Sequence, residues 1–302
     1  MLYLDDVMNN LVIKNSHLTL SVAPDIGASV RSFTYERQGT TYNVFRNSGQ
    51  ANTVNDMSCF ALAPFASRVQ HGKFEWNGHD VQLAANFPPE PHALHGFAWQ
   101  RPWQVKSQSE TAIDLRLEHV SDDWPWSFVV ELRYELIDLC LNMTLTTTNL
   151  SDTEMPSGLG LHPFFDIDDN TKVKVDAQQM WQMNEQVLPI GFTQSPAALL
   201  TELGANANEL VVDNVLINDS DRHEIVWHDR GFKADLRSAG CPYTVLYRPE
   251  DGPFFCIEPI SHCANALTMA REEALRYGVK PLASGECHTI SQSIILSDLV
   301  AN

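Results

Sequence analysis

The chain has 302 residues, of which 44% are hydrophobic and 19% are charged, so it can bury a sizeable core and is not typical of a disordered protein. Acidic residues outnumber basic residues 38 to 20, which produces a formal net charge of −18 at neutral pH. That charge repels phosphate backbones and anionic membrane surfaces. We therefore expect no nucleic-acid partner and no membrane association.

We expect neither an export signal nor a membrane anchor in this sequence. Acidic residues stand near the start of the chain, where a signal peptide needs basic ones, and no later stretch is long and apolar enough to span a bilayer. The six cysteines form no Cys-x-x-Cys pair, and a chain of this length needs no disulfide staples. We expect a cytoplasmic protein whose cysteines are reduced and mostly packed in its interior.

Short β-prone runs separated by turn residues recur along the chain. The clearest runs are residues 11–14, 18–22, 29–35, 113–119, 128–136 and 140–148. Asn77 and Gly78 stand between two further runs, residues 73–76 and 79–83. Because Asn-Gly readily takes the positive φ angles of a two-residue turn, this segment predicts a β-hairpin.

Helical periodicity is weak and is confined to residues 197–203 and 264–277, which we interpret as short elements on connections. No internal repeat, low-complexity tract or linker divides the chain. We predict an all-β fold, a large antiparallel β-sandwich with few short helices, in which residues 1–302 form a single domain.

The segment of residues 157–165 reads as a strand that carries a histidine. Period-two alternation places Gly158, Gly160, His162 and Phe164 on one face. Glycines inside a strand often mark the close approach of a ligand or of another backbone, which would leave a shelf for a small molecule beside the imidazole. The alternative is a core histidine, with the glycines accommodating neighbouring side chains.

Glu258 is the second candidate, at the end of an otherwise apolar run. Alternation places it on the face of Phe254 and Cys256, where partial desolvation would raise its pKa and suit it to general acid–base catalysis. Both His162 and Glu258 precede a proline, which holds the preceding residue in an extended conformation and aims its side chain. A glutamate that faces water at a strand end remains the alternative.

Three further polar residues stand in apolar surroundings, as groups that bind sugar hydroxyls do. They are Arg68, His95 and Asp213. Trp99, Trp124 and Trp126 could supply apolar faces for a sugar ring, although core packing is the better interpretation for tryptophans.

The histidine and cysteine pairs are weak metal signals. His92 with His95, and His262 with Cys263, fall short of the three or four ligands that zinc sites usually have. We also find no phosphate-binding loop, no dinucleotide fingerprint and no nucleophile elbow. The sequence therefore predicts no bound metal and no cofactor.

In order along the chain, these motifs resemble the aldose 1-epimerase (galactose mutarotase) family. The resemblance covers residues 18–296 and rests most on the His-Pro and Glu-Pro elements. The segments that carry it are Arg68, residues 94–97, Trp103, residues 124–126, 134–136, 158–163, 212–214 and 257–259. Among them, the match at Asp213 is the loosest.

The resemblance implies the supersandwich of galactose mutarotase, with the active site in a cleft across one sheet and no metal or organic cofactor. It implies that Glu258 is the general base for the C1 hydroxyl and that His162 is the general acid for the ring oxygen. Arg68, His95 and Asp213 would correspond to the groups that position a small sugar substrate. The protein would be a monomer or a homodimer.

Two other functions remain open on this fold. Hexose-6-phosphate 1-epimerases of the same superfamily share the His-Gly-Phe-Ala motif, but they typically place an arginine where this chain has Trp99, and Arg101 is two residues further on. A catalytically inert sugar-binding protein is the second alternative, since a fold does not determine a function. A glycosidase fits less well because it normally needs a second carboxyl group.

Overall fold

The structure, a computed structural model, describes residues 10–250 and 252–299. Every pairing between its strands is antiparallel, and two large sheets dominate. In spatial order, the nine-stranded sheet consists of Gln104–Gln108, Ala112–His119, Phe128–Ile137, Cys140–Asn149, Cys287–Asp298, Phe232–Ala239, Arg222–Trp227, Thr171–Val175 and Ala205–Asn206.

The second large sheet has eight strands. In spatial order these are Pro189–Gln194, Gln179–Met183, Val212–Ile217, Tyr243–Arg248, Phe254–Ile260, Gly160–Leu161 and Ala61–Leu62, with Phe164–Asp166 also paired to Phe254–Ile260. A four-stranded sheet contains Leu11–Lys14, Leu18–Ala23, Ser29–Arg37 and Thr40–Asn43. Three two-stranded sheets pair Met155–Ser157 with Lys280–Leu282, Arg68–Val69 with Ala93–Leu94, and Lys73–Trp76 with His79–Gln82.

Helical structure is sparse in the described part of the chain. The single α-helix there is Arg271–Arg276. Short 3₁₀ turns cover Val54–Asp56, Gln70–Gly72, Ala98–Gln100, Ala197–Leu200, Ala207–Glu209 and Ala266–Thr268. No helix among the described residues is long and apolar enough to cross a bilayer.

The predicted β-rich sandwich is confirmed. All six β-prone runs form strands whose ends differ from the predicted ends by no more than two residues, and the hairpin turns at Asn77 and Gly78, with φ of 48° and 82°. Alternating burial along Cys140–Asn149 shows one face of that strand in the interior and the other nearer to solvent. Local alternation and turn chemistry were sufficient to predict these elements.

The strand Phe254–Ile260 is buried on both faces, and each face packs against a different apolar cluster. Phe255 and Ile257 belong to the large core shared with the nine-stranded sheet. Cys256 and Ile260 belong to a second, smaller apolar cluster on the opposite face. Because alternation keeps Glu258 on the face of Cys256, its carboxyl group lies above this second cluster rather than in the main core.

One predicted element is wrong. Residues 157–165 do not form a continuous strand, because Ser157 ends one strand, Gly160–Leu161 form a second and Phe164 begins a third. The backbone N–H of Gly158 donates to Pro64 O at 2.7 Å, outside a strand ladder, and Pro163 has no N–H to donate. The alternation inferred from an unbroken strand therefore does not hold across this segment.

Candidate active site

A cleft of about 290 Å³ opens over the second apolar cluster. All five residues proposed from the sequence line it: Arg68, His95, His162, Asp213 and Glu258. They come from separate segments, which the eight-stranded sheet and its connections bring to one place. The rest of the lining is mostly apolar and aromatic, and includes Phe60, Phe87, Leu94, Trp99, Phe164, Met183, Val187, Val215, Val245, Tyr247 and Phe254.

His162 and Glu258 meet at the base of this cleft. Nε2 of His162 lies 3.2 Å from Oε1 of Glu258. Both residues are nearly buried, with 8% and 3% of their surfaces exposed. An imidazole and a carboxyl group at this distance can exchange a proton directly, and both reach the cleft where a ligand would lie.

Burial shifts the two pKa values in opposite directions. Desolvation raises the pKa of Glu258 well above its ordinary value, and the nearby charge of Asp213 adds to this effect while Arg68 opposes it. Desolvation lowers the pKa of His162 to about 3, and the charge of Arg46 contributes. Burial therefore favours a neutral imidazole and a protonated carboxyl group in the free protein.

The backbone and neighbouring rings hold the His162 side chain in place. The backbone N–H of His162 donates to Phe60 O at 3.0 Å, and the imidazole ring stacks on Phe164 with a centroid distance of 4.4 Å and an interplanar angle of 15°. Glu258 lies inside the strand Phe254–Ile260, paired with Val245, rather than at a strand end as the sequence suggested. Both side chains are thus held by rigid structure, as a proton-transfer pair requires.

His95 is held by a reciprocal contact with Ser67. The backbone N–H of His95 donates to Ser67 O at 2.9 Å, and the backbone N–H of Ser67 donates to the imidazole Nδ1 of His95 at 3.1 Å. Because Nδ1 accepts, a neutral imidazole carries its proton on Nε2, where it can donate to a ligand. Burial lowers the pKa of His95 well below its ordinary value, which keeps the ring neutral. The positive φ of His95, 59°, is uncommon for a residue with a side chain.

Arg68 and Asp213 are the remaining polar residues from the sequence prediction. Nη2 of Arg68 lies 3.0 Å from Oε1 of Glu90, and both side chains are largely buried. Desolvation raises the pKa of Asp213, while the charge of Arg68 lowers it. Glu90 was not identified in the sequence, because its segment carries no motif and the contact spans 22 residues.

The interpretation of the two glycines as a shelf for a ligand is wrong. A Cβ on Gly158 would lie 1.9 Å from the ring of His262, and a Cβ on Gly160 would lie 2.8 Å from Ile260. Both glycines therefore accommodate neighbouring side chains, and neither lines the cleft. His162 nevertheless lines the cleft. The expectation of an imidazole beside a ligand was therefore correct for His162, and the alternative was correct for the two glycines.

The histidine pairs singled out as weak metal signals do not form ligand sets in the described part of the chain. Nδ1 of His92 accepts from the N–H of His71, and Nε2 of His262 accepts from the N–H of Ala66. The cluster that does form there is His162, Cys256 and Glu258, whose ligand atoms lie within 4.8 Å of one another. Burial raises the pKa of the Cys256 thiol well above its ordinary value, and a protonated thiol is a poor ligand.

The tryptophans divide between core and cleft. Trp124 and Trp126 are fully buried in the main core, as favoured from the sequence, whereas Trp99 lines the cleft and stacks on Phe60 at 5.5 Å. Arg101 does not line the cleft, because its guanidinium lies 2.7 Å from Nδ1 of His119.

Arg46 is the charged cleft residue that the sequence did not reveal. Its guanidinium lies over the ring of Phe164, 3.7 Å from the centroid, and 4.6 Å from the centroid of Phe254. No motif surrounds it, and only the pairing of distant segments brings it to the cleft.

The architecture is that of the galactose mutarotase-like proteins. One such protein, from Clostridium acetobutylicum, superposes with a TM-score of 0.85 at 18% identity and covers 96% of this chain and 95% of that one. An Escherichia coli K12 protein described as a putative aldose 1-epimerase superposes with a TM-score of 0.85 at 27% identity, over 96% of this chain and 99% of that one.

The sequence family follows from a second comparison. The model of the family described as aldose 1-epimerase matches residues 9–289, and the chain belongs to that family. The uncharacterized protein YphB of Escherichia coli (strain K12) is 29% identical over 264 residues, which is 84% of this chain and 89% of that protein. The resemblance inferred from the motifs is confirmed at the level of the family.

Proposed function

We propose that the protein is an aldose 1-epimerase, an isomerase that interconverts the α and β anomers of a free aldohexose. The observation that carries this proposal is the contact of 3.2 Å between His162 and Glu258 at the base of the cleft. Membership of the aldose 1-epimerase family supports it. Ring opening needs one proton removed and one delivered at two oxygens bonded to the same carbon, and an adjacent base and acid can reach both.

In the proposed reaction these two side chains carry out both proton transfers. The carboxylate of Glu258 takes the proton from the C1 hydroxyl, and the electrons of that O–H bond form the C1 carbonyl. The bond between C1 and the ring oxygen breaks, and the imidazolium of His162 protonates the departing oxygen. Rotation about the C1–C2 bond and the reverse steps then produce the other anomer, and the pair carries one proton in total throughout.

The scheme requires one proton on the pair of His162 and Glu258. Burial raises the pKa of Glu258 and lowers the pKa of His162, which favours this proton on the carboxyl group. Transfer of that proton across the contact produces the carboxylate and imidazolium with which ring opening starts. Ring opening then returns the proton to Glu258, so closure of the open form begins from the arrangement that burial favours.

The other predicted residues are proposed to position the sugar. Nε2 of His95 can donate to a hydroxyl, because Nδ1 is occupied by Ser67. Arg68 is braced by Glu90, so its guanidinium is presented in one orientation. Asp213 supplies an acceptor on the neighbouring strand Val212–Ile217. Aromatic and apolar groups around them suit the apolar faces of a pyranose ring.

The hexose-6-phosphate alternative receives less support. Trp99 occupies the position after His-Gly-Phe-Ala and offers one donor without a positive charge. Arg101 is engaged with His119 and does not line the cleft. An inert sugar-binding protein would not need a histidine and a glutamate in proton-transfer contact, so the pair favours an enzyme.

Polarimetry tests the proposal directly. Freshly dissolved α-D-glucose and α-D-galactose should approach their equilibrium rotations faster with the protein than by the spontaneous reaction, in proportion to protein concentration. The proposal is wrong if neither sugar is accelerated and other free aldoses behave likewise. Binding of these sugars without acceleration would instead indicate the inert binding protein.

A further inference from the structure

Arg46 presents a partly unsatisfied cation to the cleft. Its Nε donates to Met57 O at 3.0 Å, and its Nη2 donates to Asn55 O and Met57 O, both at 2.6 Å. Among residues 10–250 and 252–299, Nη1 has no hydrogen-bond partner, and the guanidinium forms no ion pair. The guanidinium is therefore held through Nε and Nη2, and the N–H groups of Nη1 remain available to a ligand.

The charge of Arg46 is not balanced by a nearby acid. Asp56 acts on it only at a distance, and the carboxylate of Asp56 accepts instead from Thr53 Oγ1 at 2.6 Å. The second cleft arginine, Arg68, is neutralised by Glu90 at 3.0 Å. A half-buried cation without an anionic partner is costly in a free protein, and an anion that enters the cleft would compensate its charge.

The position of Arg46 identifies which part of a sugar it would meet. The ring of Phe164 contacts the Arg46 guanidinium at 3.7 Å and the His162 ring at 4.4 Å, so the arginine lies on the His162 side of the pair. In the proposed reaction His162 protonates the ring oxygen. That oxygen is bonded to C5, and C5 carries the C6 group, so the C6 group falls on the same side.

We propose that Arg46 binds an anionic group at C6 of the sugar, and that the preferred substrate is a hexuronate, an aldose whose C6 is a carboxylate. This inference rests on the proposed function, which it narrows to one substrate class. Guanidinium–carboxylate hydrogen bonds are among the stronger ones in proteins, because both partners are charged. A neutral C6 hydroxyl would leave the charge of Arg46 uncompensated.

A carboxylate fits this position better than a phosphate. One guanidinium with a single free nitrogen can balance one negative charge, and the cleft also contains the acidic residues Asp213 and Glu258. A dianionic phosphate would have no second counter-charge, since Arg68 is already paired. Neutralising Arg46 would also remove a charge that opposes protonation of His162, so a bound carboxylate would favour the imidazolium needed for ring opening.

The test compares glucose, glucuronate and glucose 6-phosphate as substrates of the wild type, by the initial rate of anomer interconversion above the spontaneous rate. We expect kcat/KM for glucuronate to exceed that for glucose by about tenfold or more, the usual effect of a hydrogen bond between charged groups. Glucose 6-phosphate should be the poorer of the two anionic substrates. A ratio of glucuronate to glucose at or below one would overturn the inference.

Two variants of Arg46 test whether this residue causes the preference for glucuronate. Arg46→Gln should abolish the preference for glucuronate, whereas Arg46→Lys, which keeps the charge, should retain part of it. Arg101→Gln is the matched control, since it removes an arginine that does not line the cleft, and its substrate ratio should equal that of the wild type. A preference that survives Arg46→Gln in folded protein would show that another group recognises the carboxylate.

The outcomes separate this inference from the function on which it rests. Acceleration of glucose without any preference for glucuronate would contradict the role of Arg46 and leave the epimerase proposal intact. If no sugar is interconverted, the epimerase proposal fails, and calorimetric titration of glucuronate into the wild type and Arg46→Gln then tests the anion site alone. A preference for glucose 6-phosphate that depends on Arg46 would refute the carboxylate assignment.

Discussion

Nε2 of His162 lies 3.2 Å from Oε1 of Glu258, in a cleft where burial lowers the pKa of the imidazole and raises that of the carboxyl group. The two groups therefore share one proton, and neither can act without the other in the proposed ring opening. Coupled groups of this kind titrate as a pair rather than separately. Turnover, substrate affinity and stability should each respond to changes at this contact or in its surroundings.

Removing either member of the pair should abolish most of the activity. We expect Glu258→Gln and His162→Asn each to lower kcat by about 10²- to 10⁴-fold, the usual contribution of a positioned acid or base. The double variant should be little worse than either single variant, because one remaining partner cannot complete the proton exchange. Polarimetry measures the rates, and circular dichroism verifies the fold. Near wild-type turnover in a folded variant would exclude the assigned role of that residue.

The contact between Arg68 and Glu90 should control substrate affinity more than turnover. Glu90→Gln keeps the shape of the side chain but loses the charge that braces Arg68, whose Nη2 is 3.0 Å from Oε1. We expect KM to rise by about tenfold, with a smaller change in kcat. Arg68→Lys should behave similarly, because an ammonium cannot reproduce the planar guanidinium. A loss confined to kcat would instead place Arg68 at the reacting atoms.

Exhaustive treatment with a chelator should leave the activity unchanged. The one described cluster with three potential ligands is His162, Cys256 and Glu258, and burial favours the protonated form of the Cys256 thiol. Catalysis by this pair needs no metal in the proposed scheme. Activity that disappears with the chelator and returns with zinc would contradict this prediction.

Gly158 should be intolerant of even a methyl group. A Cβ there would lie 1.9 Å from the ring of His262, which cannot move freely because its Nε2 accepts from the N–H of Ala66 at 3.0 Å. We expect Gly158→Ala to lower the free energy of unfolding by about 1–3 kcal/mol, as overpacking usually does. Gly191→Ala is the control, because a Cβ on Gly191 would meet nothing within 4 Å. Equal stability of the two variants in urea unfolding would contradict this account.

Buried histidines should make the protein less stable in acid. Desolvation lowers the pKa of His288 to about 4, from an ordinary value of 6.5. Between these two pH values the His288 side chain binds a proton in the unfolded chain but not in the folded one. The free energy of unfolding is therefore highest, as far as His288 is concerned, above pH 6.5, and it falls as the pH falls toward 4. The predicted loss is at most about 1.4 kcal/mol per pH unit for this group.

The measurement compares the stability of His288→Gln with that of the wild type, and follows the difference with pH. His288→Gln can keep the hydrogen bond to Ser157 Oγ, which is 3.0 Å from Nδ1 in the wild type, and it removes the titration. The variant should therefore gain stability relative to the wild type as the pH falls from 6.5 to 4, in urea unfolding at several pH values. Buried groups that do not interact with His288, such as Glu258, cancel in this comparison. A stability difference that is constant with pH would contradict the buried, neutral state of His288.

The sequence by itself was sufficient for the β-rich fold, the hairpin at Asn77 and Gly78, and the five residues that line one cleft. Alternation, turn chemistry and X-Pro restraints act over a few neighbouring residues, so the order of residues reveals them. The family resemblance then supplied roles for His162 and Glu258 that remain proposals.

Only the tertiary structure reveals the contacts between distant segments. The break after Ser157, the packing of Gly158 against His262, the pairing of Arg68 with Glu90 and the entry of Arg46 into the cleft leave no local pattern. Each depends on which strands become neighbours and on the shape of the side chains between them. Burial is also a property of the assembled fold, and it is burial that raises the pKa of Glu258 and lowers the pKa of His162.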